Sequence, residues 1–307
     1  MDQAQGLRTM GSGGTKHEPR SGSGGMKTTV SDANSGLRVI ALVSGKGGVG
    51  KTNLAANLAV ILARRGRKVL LVDADLGLAN VDIVLGLTTR YTLFDVVSGV
   101  VELENILVEG PGGVWVLPAS SGVYEMTCLD DQQRYAILDQ IEALDDRFDT
   151  VLIDNAAGIS QDVQFFAGAA RQVVVVTDRE PTAITDAYAT IKVLCQRRTN
   201  LNFHLLVNNA DSESDGIDVY RKLTTVTDRF LNASISLFGT VPKDENLNRA
   251  VMARRPLVDL FPRSPASTQL NMLADRLLEL PPPDGEDGTM KMFWERLFHQ
   301  NSGGGEK

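Results

Sequence analysis

Cysteine is scarce in this chain of 307 residues, which contains only Cys128 and Cys195. The two lie far apart and in no CxxC arrangement, so the usual spacings of iron–sulfur and structural zinc sites are excluded. The pattern favours two reduced thiols in a cytosolic protein. The three histidines, at positions 17, 204 and 299, are equally scattered. Neither residue type predicts a metal centre.

Long apolar runs are missing as well. No run approaches 18 residues and there is no secretory signal peptide, so we expect a cytoplasmic protein with no membrane span. The net charge is −7 and the pI about 5.1, which disfavours broad binding to DNA. Apolar residues make up 43% and charged residues 22%, an ordinary globular composition for one large α/β domain.

The chain divides into three parts by composition. Residues 1–36 contain a Gly/Ser-rich stretch, which predicts a flexible linker behind a short leading segment. The main domain is expected over 37–283 and ends at the stretch PPPDGEDG, which marks a break. Residues 284–307 form a linker and a short apolar-rich tail.

Strand and helix patterns alternate through the main domain. Several of the apolar runs are continuous in Val, Ile and Leu, as expected for strands covered on both faces. The predicted strands are 38–44, 68–75, 113–120, 150–156, 172–178, 203–209 and 235–241, and the predicted helices are 51–65, 127–144, 161–170, 182–197, 217–232 and one near 265–280. This alternation predicts an α/β fold, a doubly wound and mostly parallel sheet with helices on both faces.

One glycine-rich loop joins the first predicted strand to the first helix. It reads Gly45-Lys46-Gly47-Gly48-Val49-Gly50-Lys51-Thr52 and fits G-x-x-x-x-G-K-[ST]. Its backbone N–H groups and the helix N-terminus suit phosphate oxygens. We expect Lys51 to reach the β- and γ-phosphates and the Thr52 hydroxyl to take a Mg²⁺ position. The loop therefore predicts an ATP site.

Acidic residues follow two of the predicted strands. Asp154 ends one apolar strand, and Asp73 and Asp75 end another. Ligands of open α/β sheets gather at the carboxyl ends of the strands, so these acids should converge on the loop. We expect Asp75 and Asp154 to act at the metal and the attacking water, whereas Asp73 is the candidate for a structural role.

Lys46 is a second lysine in the same loop. Two ammonium groups on the same oxygens would repel each other, so Lys46 could instead contact the phosphates of a facing subunit, as an arginine finger does. The alternative is a solvated loop lysine. The first interpretation predicts a homodimer that forms with ATP.

These residues resemble a known class of proteins. KGGVGKT with the extra lysine, DADLGLANVD and LIDNAAGIS are similar to the deviant Walker A ATPases of the MinD/ParA class. Within that class, DADLGLANVDIVLGL, EPTAITDAYATIK, FLNASISLFGTVP and DLFPRSPAS resemble the FlhG (FleN) family of flagellar number regulators. The resemblance runs from about residue 37 to about residue 300 and includes the leading DQAQGLR.

The resemblance implies roles for particular residues. Lys46 matches the lysine that reaches across an ATP-sandwiched dimer, and Asp75 matches the switch I aspartate that positions the attacking water. Asp154 matches the second acid near Mg²⁺, followed by a switch II turn at 156–158. The resemblance assigns the adenine pocket to Asn208, Pro242 and Asp244. Asn155 departs from the family, which usually has Thr or Ser there, and this puts only fine rate constants in question.

The resemblance also implies partners. The leading segment is similar to the motif with which the family engages and activates the GTPase FlhF, through Asp2, Gln3, Ala4, Leu7 and Arg8. From the residues alone, a frayed terminus is the alternative. The family further implies a flagellar transcription activator of the FleQ/FlrA type and flagellar switch (C-ring) components. DNA binding is not expected.

The carboxyl-terminal tail has an amphipathic pattern. Helical spacing gathers Met290, Phe293, Trp294, Leu297 and Phe298 into one arc. The candidates for contact with the inner face of the cell membrane are therefore Phe293, Trp294, Leu297 and Phe298. We expect this contact at a cell pole. One copy should bind weakly and two copies on a dimer far better. The alternative is a helix docked on the domain, and docking in the monomer with release in the dimer would combine the two.

Three hypotheses remain open from the sequence. The first is a slow ATPase, stimulated by a partner or the membrane, that acts as a switch for flagellar number and placement. The second is a nucleotide-dependent module that sequesters a transcription activator while hydrolysis is incidental. The third is a MinD- or ParA-type ATPase for cell division or DNA partitioning.

Overall fold

The computed structural model describes residues 36–75, 80–118, 131–197, 201–231, 233–280 and 289–302. Side chains at 131, 132, 134 and 298–302 lie outside this description. The predicted amino-terminal segment also lies outside the described residues, apart from Gly36, and with it the five residues predicted to bind a partner. The same holds for the side chain of Phe298.

Eight strands form a single sheet. In chain order they are β1 Arg38–Ser44, β2 Val69–Ala74, β3 Val108–Glu109, β4 Trp115–Leu117, β5 Thr150–Ala157, β6 Gln172–Thr177, β7 Asn202–Ala210 and β8 Ile235–Pro242. Their order across the sheet is β3-β4-β2-β5-β1-β6-β7-β8. All pairs are parallel except β3 with β4 at one edge.

Helices connect these strands. They are α1 Lys51–Arg64, α2 Val81–Leu85, α3 Leu93–Val97, α4 Asp131–Glu142, α5 Gln161–Ala169, α6 Pro181–Arg197, α7 Glu213–Phe230, α8 Glu245–Met252, α9 Leu257–Leu260, α10 Pro265–Glu279 and α11 Met290–Ser302. They cover both faces of the sheet. The predicted doubly wound, mostly parallel α/β fold is thus confirmed.

The central strands are apolar on both faces because each face has its own core. Every residue of β1 is buried. Its Ala41 and Val43 belong to the core that includes α4, α5, α6 and α7, and its Ile40 and Leu42 belong to the core that includes α1 and α10. This explains why the sequence shows continuous Val/Ile/Leu runs in place of period-two alternation.

Each of the seven predicted strands is present, with ends shifted by a few residues at most. The two-residue edge strand β3 and the short helices α2, α3, α8 and α9 were not predicted, because they are too short to show a period. Helix α7 begins at Glu213, four residues before its predicted start. Ser212 and Asp215 form a capping box there, which starts the helix earlier than its apolar pattern indicates.

The tail helix α11 packs onto the domain, against α4 and α5. Met290, Phe293, Trp294 and Leu297 are between 0% and 2% exposed and belong to the same core as those helices. The arrangement is therefore the docked one, and the predicted contact of these side chains with a membrane stays a prediction. Among the described residues, no helix has the length and apolar character needed to cross a bilayer.

Candidate nucleotide site

The carboxyl ends of β1, β2 and β5 meet at one cavity of about 380 Å³. The glycine-rich loop forms its floor, because β1 ends at Ser44 and α1 begins at Lys51. The cavity is lined by Ser44, Gly47, Gly48, Val49, Gly50, Lys51, Thr52, Asn53, Asp75, Asn80, Ile83, Val84, Ala157 and Val251. The structure thus brings most of the predicted phosphate loop together with the predicted switch I aspartate.

Two glycines of the loop are required by their surroundings. Gly50 has a φ of 89°, and a Cβ there would lie 2.4 Å from Nδ2 of Asn208. A Cβ on Gly45 would lie 2.1 Å from the backbone carbon of Asp186 in α6. The loop therefore rests directly on α6 and on the end of β7, where no side chain would fit.

Lys51 and Asp154 form an ion pair beneath the cavity. Lys51 Nζ donates to Asp154 Oδ1 at 2.6 Å, and the two side chains are 6% and 1% exposed. Burial raises the pKa of Asp154, while the ammonium of Lys51 opposes that effect. Lys51, the predicted phosphate-binding lysine, is thus paired with Asp154, the predicted acid near Mg²⁺. Both buried charges depend on this contact.

Two buried oxygen atoms near this pair suit a hydrated cation. Among the described residues, neither Ser44 Oγ nor Asp154 Oδ2 has a hydrogen-bond partner, although both are buried. Thr52 and Asp75 line the adjoining cavity and add a hydroxyl and a carboxylate. Hydroxyl and carboxylate oxygens are the donors that Mg²⁺ prefers, usually with water and substrate phosphates completing the shell. The predicted donor set Thr52, Asp75 and Asp154 therefore fits the ion chemically.

Asp73 has a different environment from its neighbour Asp75. It is buried at the end of β2 and accepts hydrogen bonds from the backbone N–H groups of Asp75, Asn80 and Val81. Burial, and then the charge of Asp154, raises the pKa of Asp73 to about 7, against the effect of those three hydrogen bonds. Asp73 thus binds three backbone N–H groups, which agrees with its predicted structural role.

The predicted switch II turn is bonded to the end of β1, directly before the phosphate loop. The N–H of Gly158 donates to the carbonyl of Ser44 at 2.8 Å. The buried amide of Asn155 donates to the carbonyl of Leu42 at 2.9 Å and so ties β5 to β1. The side chain of Asn155, the residue that departs from the family pattern, is therefore engaged in a contact between two strands.

Lys46 lies outside the cavity of its own chain. Its ammonium forms an ion pair with Glu180 and lies 3.5 Å from Thr182 Oγ1. Lys46 is 38% and Glu180 62% exposed, so water screens this pair. The contact with Glu180 raises the pKa of Lys46, which keeps the side chain cationic.

The residues predicted to form the adenine pocket have other contacts here. Asn208 is buried, and its Nδ2 donates to the carbonyl of Val49 at 2.8 Å. Asp244 caps α8 by accepting from the N–H of Asn246, and Pro242 ends β8. Burial by itself would raise the pKa of Asp244, but hydrogen bonds led by that of Ser264 outweigh it and hold the pKa below its usual range. The contact of these residues with adenine stays a prediction.

Several residues of the site were not predicted from the sequence. Asn80, Ile83 and Val84 enter the cavity from the start of α2, and Val251 enters from α8. Glu180, in the motif EPTAITD, forms the ion pair with Lys46. Its position just before Pro181, which starts α6, was the sequence signal that could have identified it. The short helices carried too little pattern to place the others.

Comparison with known proteins agrees with this geometry. A family model described as an AAA domain matches residues 37–207. The chain is 44% identical over 268 residues to the antiactivator FleN of Pseudomonas aeruginosa, with 87% of this chain and 96% of that protein covered. It is 31% identical to the flagellum site-determining protein YlxH of Helicobacter pylori, covering 87% and 92%.

A solved structure shares the fold as well. The septum site-determining protein MinD of Pyrococcus horikoshii, complexed with Mg-ADP, superposes with a TM-score of 0.63 at 27% identity. The match covers 81% of this chain and 100% of that one. The fold and the two-lysine loop define a P-loop ATPase of the MinD/ParA class. Within that class, the chain belongs to the FlhG/FleN family.

Removal of one member of the buried ion pair tests its contribution to stability. We expect Lys51→Met to lower the free energy of unfolding of the nucleotide-free protein by about 3–5 kcal/mol, because it leaves the Asp154 carboxylate buried without a counter-charge. The variant Lys51→Met/Asp154→Leu should lose much less, since both charges are gone. Urea denaturation measures both. A double variant that is no more stable than the single one would contradict this account of the site.

Proposed function

We propose that this protein is an ATP-driven dimerising switch that controls flagellar number and placement. The position of Lys46 is the observation that supports it most directly. This lysine lies in the phosphate loop, yet it points away from the cavity of its own chain toward an exposed glutamate. A cation displayed beside a nucleotide site, on a water-screened contact, is available to the phosphates of a second subunit.

ATP and Mg²⁺ are the proposed ligands of the cavity. The loop from Gly45 to Thr52 would hold the phosphates, and Thr52, Asp75 and Asp154 would hold Mg²⁺ directly or through water. Mg²⁺ neutralises charge on the phosphate oxygens when it is bound. Lys51 exchanges its contact with Asp154 for phosphate oxygens, and Asp75 positions the attacking water from the rim of the cavity.

Two protein partners are part of the proposal. The similarity to the antiactivator FleN supports restraint of a flagellar transcription activator, of the FleQ/FlrA type. The leading segment with Asp2, Gln3, Ala4, Leu7 and Arg8 is proposed to activate the GTPase FlhF. The Gly/Ser-rich stretch that follows gives such a segment a tether on which it can fold against its partner.

The tail helix is proposed to carry the protein to the inner face of the cell membrane. Its apolar residues are buried in the docked arrangement, so the same face cannot contact lipid at the same time. Polar contacts hold the start of α11 in place. Asp145 Oδ1 accepts from the N–H groups of Met290 and Lys291 at 2.6 and 3.3 Å, and Lys291 Nζ donates to Glu142 at 2.6 Å.

Release of the tail in the ATP dimer would couple nucleotide to membrane. Helix α5 is the element through which this coupling is proposed to act, because it follows switch II and packs against α11. Each large apolar side chain that leaves the domain loses about 1.5–3 kcal/mol of burial. Insertion into lipid restores burial for the same side chains, and two tails on one dimer bind cooperatively through effective concentration.

The dimer can be tested by light scattering after size exclusion with ATP and Mg²⁺. We expect dimers of the wild type and longer-lived dimers of Asp75→Ala, because hydrolysis is blocked. Lys46→Ala should remain monomeric while keeping its fold and its binding of ADP. Lys192→Ala, which removes an exposed lysine from the later part of α6, is the matched control. Monomers in both the wild type and Asp75→Ala would refute the switch.

The leading segment can be tested through its partner's reaction. We expect Leu7→Ala/Arg8→Ala to abolish stimulation of FlhF GTP hydrolysis, because these side chains are the proposed anchors. ATP-dependent dimerisation of this protein should be unchanged, since the segment is joined to the ATPase domain through a linker. Full stimulation by the double variant would exclude this partner site.

Co-sedimentation with vesicles that contain phosphatidylglycerol tests the tail. The wild type should pellet with ATP more than with ADP, and a chain ending at Gly288 should pellet with neither. Asp145→Ala should pellet with ADP as well, because loss of the cap weakens docking. Asp95→Ala, which removes a cap on α3, is the control. Equal pelleting of the truncated and full chains would remove the tail from the proposal.

A further inference from the structure

Asp73 holds three backbone groups with a single carboxylate. Its Oδ1 accepts from the N–H of Asp75 at 3.1 Å, and its Oδ2 accepts from the N–H groups of Asn80 and Val81 at 3.3 and 3.2 Å. The side chain is 5% exposed and lies outside the lining of the nucleotide cavity. It therefore touches the described parts on either side of residues 76–79 through their backbone N–H groups, while its own side chain stays out of the cavity lining.

The groups that Asp73 holds are the ones that face the nucleotide. Asp75 and Asn80 line the cavity, and Val81 begins the helix whose Ile83 and Val84 line it too. The N-cap residue of that helix, Asn80, makes no side-chain capping hydrogen bond. The Asp73 carboxylate thus satisfies amide groups that a helix start otherwise leaves open.

A carboxylate is the side chain that this arrangement needs. In its ionised form it offers only acceptor sites, and hydrogen bonds to an ionised oxygen are stronger than neutral ones. An asparagine would turn an NH₂ group toward one set of N–H donors. Burial of a carboxylate next to Asp154, its partner in the register of β2 and β5, is unfavourable without these bonds. Asp73 therefore accepts the three backbone hydrogen bonds at a position where burial and the nearby Asp154 disfavour its charge.

We propose that Asp73 is a positioning residue for ATP hydrolysis, which fixes Asp75 and the start of α2 around the phosphates. This inference rests on the proposed role of Asp75 at the attacking water. Asp73 touches no reacting group in this arrangement. It acts through the backbone that carries Asp75, so its loss should misplace a reacting group without removing one.

Steady-state ATP hydrolysis by the full chain provides the first test. We expect Asp73→Asn to lower kcat by about 10- to 100-fold, the range typical of misplacement by about 1 Å. KM for ATP and the affinity for ADP should change little, because the phosphate loop and Lys51 are untouched. Asp95→Asn is the matched control, since Asp95 also accepts a backbone N–H, from Thr92 at 2.7 Å, but lies outside the cavity lining. It should leave kcat unchanged.

A double-mutant cycle separates positioning from other effects. In an Asp75→Ala background, Asp73→Asn should cause little further loss of kcat, because the group that it positions is already absent. Additive losses would overturn the inference. If Asp75→Ala keeps the wild-type kcat, the proposed role of Asp75 fails instead. A wild-type kcat in Asp73→Asn, with Asp75→Ala impaired, would refute the positioning role alone.

Amide hydrogen exchange on the wild type remains informative even where Asp73 variants fold poorly. The amides of Asn80 and Val81 should exchange slowly and in parallel, because one carboxylate holds both. The amide of Ile83, whose hydrogen bond to the side chain of Asp82 is exposed to solvent, is the internal comparison and should exchange faster. Rapid exchange at Asn80 and Val81 would show that their hydrogen bonds to Asp73 do not form in solution and would overturn the inference.

Discussion

Two opposite charges lie almost entirely out of water at the centre of this fold, on Lys51 and Asp154. Removing both from water costs several kcal/mol for each ion, and their mutual contact offsets that cost only while the geometry is kept. The glycine-rich loop is thereby tied to β5 before any nucleotide is present. In the proposed cycle, phosphate oxygens compete with Asp154 for the same ammonium, so nucleotide binding would alter the contacts of β5, which leads into the predicted switch II turn.

The strand order explains why so few residues can build this site. Strands β2, β5 and β1 are neighbours, so their carboxyl ends place Asp75, the predicted switch II turn and the phosphate loop side by side. Gly158 is already bonded to Ser44, and Asp73 lies opposite Asp154 in the register. The ends of these three strands are therefore adjacent, joined by a backbone hydrogen bond between β5 and β1 and by the register of β2 with β5.

The sequence predicted the parts of this protein that rest on long patterns and on strand ends. Continuous apolar runs located the buried strands, and the rule for carboxyl ends brought Asp75 and Lys51 to one cavity. Short elements were missed, because five residues of α2 cannot display a helical period. The cap of α2 by Asp73 and the bond from Asn208 to the loop join residues from different elements, so no local pattern encodes them. For the tail, the sequence showed an apolar face but not which surface would cover it.

That tail constrains how the proposed cycle can work. The apolar face of α11 is covered by helices of the domain, so nucleotide alone would have to supply the whole cost of uncovering it. To shift a docked helix from 99% bound to 99% free takes about 5.5 kcal/mol of differential binding. Lipid lowers this requirement, because it buries the same side chains that leave the domain. In the proposed cycle, ATP therefore needs only to weaken the packing of α11 against α5, while the membrane supplies most of the free energy of release.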